Sequence, residues 1–93
     1  MNFKLVVPLP LTELIRHLSP EVKRKIRVAI DELSENPRAG KALTLKLKGM
    51  RSYRVGRMRI VYRTENSTIK LIDIGPRRTI YQKVVFELTR KKL

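Results

Sequence analysis

The spacing of apolar positions changes once along the chain, from helical to alternating. Asn2–Val7 (NFKLVV) reads as a short strand, ended by Pro8 and Pro10. Leu11, Leu14, Ile15 and Leu18 then recur three and four apart, the spacing of one helix face. Ser19-Pro20 restarts the chain, because serine is a good N-cap and proline fits the first helical position, where an N–H has no intrahelical acceptor. Val22, Ile26, Ala29, Ile30 and Leu33 form the apolar stripe of a second helix, with Lys23, Arg24, Arg27, Asp31 and Glu32 off it. Asn36-Pro37 and Gly40 stop that helix.

Beyond Gly40 the period becomes two. Leu43, Leu45 and Leu47 alternate with Thr44, Lys46 and Lys48, which predicts a half-buried strand, and Gly49 predicts a turn. Tyr53 and Val55 alternate with Ser52 and Arg54, and Gly56 predicts a bend. Met58, Ile60 and Tyr62 face one side, while Arg57, Arg59 and Arg63 face the other. Glu65-Asn66-Ser67 turns the chain into Thr68–Ile74, an apolar run suited to a central strand, which Gly75-Pro76 ends. Tyr81, Val84, Val85 and Leu88 return to helical spacing. Arg90-Lys91-Lys92 then falls at the negative end of that helix's dipole. The predicted class is α+β: a helical hairpin on one face of a small, mostly antiparallel four-stranded sheet (β-α-α-β-β-β), then a C-terminal helix. The other face of the sheet is expected to carry the arginines.

Composition narrows the function. At 93 residues, 42% hydrophobic and 32% charged, the chain suits one globular domain over residues 1–93 with a modest core. No apolar run approaches the ~20 residues that span a bilayer. The N-terminal stretch lacks the pattern of a secretory signal, and there is no cysteine for a disulfide or thiolate site. The expected location is the cytoplasm, with no membrane partner. The net charge of +14 is unevenly placed. Residues 1–37 hold six Lys/Arg and five Asp/Glu, a net +1, whereas residues 38–93 hold sixteen and three, a net +13. An excess concentrated in this way points to a face for a polyanion such as RNA or DNA.

Most chemistries lack their parts. His17 is the single histidine, and the carboxylates of the second half, Glu65, Asp73 and Glu87, are far apart in sequence, so no metal or cofactor site is expected. What remains is arginine, lysine and tyrosine. RNA is cleaved without a metal when its 2′-hydroxyl attacks the adjacent phosphate. One group must take the hydroxyl proton, one must stabilise the growing charge, and one must protonate the leaving oxygen. Arginine suits the second task, since its planar fork pairs with phosphate oxygens. Tyrosine or lysine can move protons when neighbouring positive charge assists, and Tyr81 lies beside Arg77 and Arg78 in sequence. The alternative for Tyr81 is an apolar anchor of the last helix. Tyr53 and Tyr62 suit the core.

LKGMRSYRVGRMRIVYR followed by IGPRRTIY resembles the RelE/ParE superfamily of type II toxins. The resemblance spans nearly the whole chain and implies a small α/β toxin neutralised by a cognate acidic antitoxin in a hetero-oligomer. RelE-like members cut messenger RNA on the ribosome; ParE-like members instead poison DNA gyrase. The first of these is the expected function, which makes ribosome-bound mRNA a partner. By position, the resemblance implies a catalytic set of Arg54, Arg59, Arg77 and Tyr81. Lys46, Lys48, Arg57 and Arg78 would bind RNA. The chain departs from the pattern at three places. Ser52 stands where the best-known RNases have another basic residue, Met58 where an aromatic is common, and Pro76 where His or Lys is frequent.

Overall fold

The computed structural model describes residues 3–91. Strand β1 (Lys4–Val6) leads into helix α1 (Leu9–Arg16) and helix α2 (Pro20–Glu35). The short strand β2 (Lys41–Ala42) precedes a single 3-10 turn at Leu45–Leu47. Strands β3 (Arg51–Val55), β4 (Met58–Glu65) and β5 (Thr68–Pro76) and helix α3 (Ile80–Lys91) complete the chain. The five strands form one sheet in the order β1-β5-β4-β3-β2. Only the β1–β5 pair is parallel. That arrangement follows from connectivity: β2 to β5 are joined by returns that allow antiparallel pairing, whereas the end strand β1 pairs with a strand far along the chain.

The sequence signals for the hairpin act as read. The Ser19 side chain accepts from the Val22 N–H at 3.4 Å, and Pro20 begins α2. Ile26, Ala29 and Leu33 of α2 and Leu11 of α1 pack with Ile60, Tyr62, Ile69, Leu71 and Ile74 of the sheet. Between β4 and β5, Asn66 and Ser67 both take positive φ (46° and 64°), the backbone of a tight two-residue hairpin turn. Asn2, at the start of the predicted first strand, and Lys92, at the predicted basic end of the last helix, lie outside the described residues. Among the described residues no helix is long and apolar enough to cross a membrane.

Two expectations are corrected. Residues 43–48 are not a strand. β2 and β3 form an antiparallel pair with Ala42 opposite Arg51, so everything between must be the connection. Leu47 is buried there and Leu43 packs partly against α3, but Leu45 is 89% exposed. The second correction concerns the far face of the sheet, which is not left to the arginines. α3 and the β2–β3 connection cover much of it with a second core of Leu47, Met50, Val61, Ile80 and Val84. The arginines are displaced to one end of that face.

Candidate active site

Two hairpin strands and the start of α3 build the site. Arg54 on β3 is paired directly across from Arg59 on β4, and Arg59 is in turn opposite Gly75 on β5. The β3–β4 turn, with Gly56 at φ 61°, carries Arg57. The chain leaving β5 carries Arg77 and Arg78, and the Arg77 N–H donates to the Arg57 carbonyl at 3.4 Å. The five arginines 54, 57, 59, 77 and 78 thus surround one hollow of about 450 Å³, with Met58 and Pro76 in its wall. Like charges placed directly opposite in a sheet repel. No ion pair among the described residues involves any of the five. The Nε of Arg59 is buried and lacks a hydrogen-bond partner in the protein. Guanidiniums gathered without carboxylates form a site complementary to an anion with several oxygens, of which a phosphodiester is the natural example.

Tyr81 approaches from α3. Its hydroxyl donates to Ser52 Oγ at 2.9 Å, and Arg59 Nη1 donates to the same oxygen at 3.4 Å. Ser52 is 1% exposed, beneath α3 on the face of β3 that also carries Arg54. Tyr81 therefore lies next to the arginine hollow and is connected to it through Ser52 and Arg59, without lining it. Of the residues predicted from sequence, Arg54, Arg57, Arg59, Arg77 and Arg78 come together. Lys46, in the 3-10 turn, and Lys48, which caps it, are exposed and do not line the hollow. Ser52 is the residue sequence reasoning missed. Its alternation with Tyr53 placed it on the arginine side, but that pattern does not show what α3 brings above it.

The other tyrosines are structural. Tyr62 is fully buried; its hydroxyl donates to the Pro37 carbonyl at 2.7 Å and accepts from the Gly40 N–H at 2.9 Å. Burial pushes its phenol above the ordinary value, partly offset by the Gly40 N–H and by Arg51. Tyr53, half-buried at the edge of the first core, donates to Glu32 of α2, and that bond together with burial raises its phenol.

These features define a small α+β protein that displays an arginine-lined hollow at one end of its sheet, beside a tyrosine from its last helix. The model of the family described as ParE toxin of type II toxin-antitoxin system, parDE, matches residues 11–81, and the chain belongs to that family, within the RelE/ParE superfamily. It is a toxin of a type II toxin–antitoxin system.

Solved structures share the fold. The toxin–antitoxin complex RelBE2 from Mycobacterium tuberculosis is 25% identical, with a TM-score of 0.72 over 83% of this chain and 93% of that one. An arginine-to-alanine double mutant of E. coli toxin RelE in the free state is 18% identical, with a TM-score of 0.76 over 100% of both chains. The YoeB-YefM complex from Staphylococcus aureus is 17% identical, with a TM-score of 0.68 over 81% of this chain and 97% of that one. No curated protein sequence matches the chain.

Proposed function

We propose that this toxin is an endoribonuclease that cuts messenger RNA at the ribosome, using the RNA's own 2′-hydroxyl as nucleophile. Arg54, Arg59 and Arg77 hold the scissile phosphate and neutralise the charge that grows on it. Tyr81 orients the neighbouring base or carries a proton, and Arg57 and Arg78 add grip. Lys46 and Lys48 contact the RNA backbone outside the hollow. The observation that supports the reading is the ring of five guanidiniums around one hollow, with no ion pair to a carboxylate among the described residues. Donors fixed in advance around a phosphate stabilise its developing charge without reorganising. Primer extension on messenger RNA from programmed ribosomes tests the reading. Cleavage by the wild-type protein is expected, and Arg59→Ala should lower it by about 10²–10³-fold. Intact messenger RNA after incubation with active, folded toxin would end the nuclease reading.

A second reading, a DNA gyrase inhibitor without nuclease activity, is favoured by the match to the ParE toxin model over residues 11–81 and by the absence of a basic residue at Ser52 and Pro76. A supercoiling assay separates the two. Inhibition of gyrase that survives Arg59→Ala would establish the second.

The partner that follows from either reading is an acidic antitoxin. RelBE2 and YoeB-YefM are solved as toxin–antitoxin complexes. On this chain, Tyr81, Val85 and Phe86 line an apolar groove along α3, with Phe86 62% exposed. An apolar strip on a strongly basic protein suits an acidic amphipathic segment.

A further inference from the structure

We infer that Ser52 is a positioning residue of the proposed cleavage: its buried hydroxyl is the joint through which Arg59, on the sheet, fixes the side chain of Tyr81, on α3. The catalytic meaning of this inference rests on the nuclease reading, while the contact itself rests on geometry. Against the superfamily pattern, Ser52 looks like the loss of a basic residue. The structure gives the position another task.

The hydrogen-bond inventory is restrictive. A guanidinium only donates, so Ser52 Oγ must accept from Arg59 Nη1. The Tyr81 hydroxyl occupies the second acceptor position of the same oxygen at 2.9 Å. Among the described residues, Ser52 is the only side-chain hydrogen-bond partner of either group. Neither Arg54 nor Tyr53 takes its place: Arg54 Nε donates to the Gly56 carbonyl at 3.2 Å, and Tyr53 bonds Glu32 on the opposite face of the sheet. The Tyr81 hydrogen is thereby directed at Ser52. The lone pairs of the Tyr81 oxygen are left to receive a donor, such as a substrate hydroxyl.

Loss of the Ser52 hydroxyl removes both constraints at once. Tyr81 keeps its place on α3, since its ring packs in the second core with Ile80 and Val84 on the same helix, but its hydroxyl loses its anchor. Arg59 keeps its charge and its position in the hollow. Phosphate binding should therefore survive while turnover falls, which a general loss of structure would not produce.

The test combines kinetics with a probe of Tyr81. On programmed ribosomes, Ser52→Ala should lower kcat about tenfold or more while KM changes by less than about threefold. Tyr81→Phe should do the same, and the double variant should be no slower than the slower single one, because the two side chains act as one unit. Ser52→Thr, which keeps the hydroxyl, should recover kcat to within about threefold of wild type. Thermal melting of each variant shows whether it is folded. Independently of activity, the ζ-carbon resonance of Tyr81 in tyrosine-labelled protein should move in Ser52→Ala and stay near its wild-type position in Ser52→Thr. An inactive wild-type protein would end the nuclease reading and the catalytic role of Ser52 with it. An active wild type, with folded Ser52→Ala unchanged in kcat or with additive effects of the two substitutions, would overturn the inference alone.

Discussion

Tyr62 shows how one side chain ties the loop after α2 to the sheet. It is the largest fully buried side chain, and its hydroxyl both donates to Pro37 and accepts from Gly40. Gly40 is required for this closeness, because a Cβ there would lie 2.5 Å from the Tyr62 oxygen. Tyr62→Phe leaves the Gly40 N–H and Pro37 carbonyl without that partner, and it should lower stability by about 1–3 kcal/mol at neutral pH. The effect should depend on pH in one direction. Burial raises the Tyr62 phenol above the ordinary value of 10.0, so the folded state keeps a proton that the unfolded chain releases. Stability from this group is complete below that value and is lost as pH rises above it. The stability gap between wild type and Tyr62→Phe, measured by urea denaturation, should therefore narrow above pH 10; a constant gap would contradict it. Residue by residue, the sequence made the charged parts of the site visible. Arg54, Arg57, Arg59, Arg77 and Arg78 stand out by type and spacing. Ser52 does not, because its task depends on Tyr81, which is 29 residues away in sequence and arrives on a helix whose docking no local pattern encodes.

The elements reveal where alternation misleads. Leu43, Leu45 and Leu47 have a strand's period but no strand to pair with, because the hairpin register makes them the connection between β2 and β3. Two of the three reach the second core, and Leu45, at φ 55°, turns outward to allow it. A non-glycine residue in this left-handed conformation is strained, so Leu45→Gly should stabilise the protein by about 0.5–1 kcal/mol in urea denaturation. A loss of stability would show that Leu45 contributes packing that its 89% exposure does not suggest. Helix α3 has the opposite character. Its spacing was legible, but its place over the sheet was not. Ile80 is 1% exposed and packs directly over Gly75, where a Cβ would meet its Cδ1 at 3.0 Å. Ile80→Ala should cost about 2–5 kcal/mol. Amide exchange should rise more in α3 than in α2, because the truncation empties the second core and leaves the first intact. Equal acceleration in both helices would mean that the two cores open together.

At the scale of the molecule, charge is segregated along with function. The second part of the chain has only Glu65, Asp73 and Glu87 as carboxylates. Glu65 lies 4.0 Å from Arg63 and Asp73 lies 3.3 Å from Lys83, so two of the three are already engaged away from the hollow. The hairpin holds most of the remaining acids, where Glu13–Arg16 and Glu21–Lys25 form exposed pairs of little energetic consequence. The result is a field that is positive at the hollow and nearly neutral over the helices. Single-stranded RNA that enters such a field releases counterions, and log K falls by ~0.7 per log unit of salt for each phosphate neutralised. Binding of a short RNA blocked by 2′-O-methylation, measured between low and high salt, should therefore show a steep slope. Arg57→Ala and Arg78→Ala should each reduce the slope by ~0.7, because both side chains line the hollow and are exposed to solvent. Lys23→Ala, exposed on α2, should leave it nearly unchanged. The comparison is decisive because both kinds of variant remove one positive charge. If Lys23 and Arg78 change the slope equally, RNA senses only the net charge and the hollow has no privileged role. If they differ as expected, the phosphates sit among the arginines that the fold gathers from β3, β4 and the end of β5.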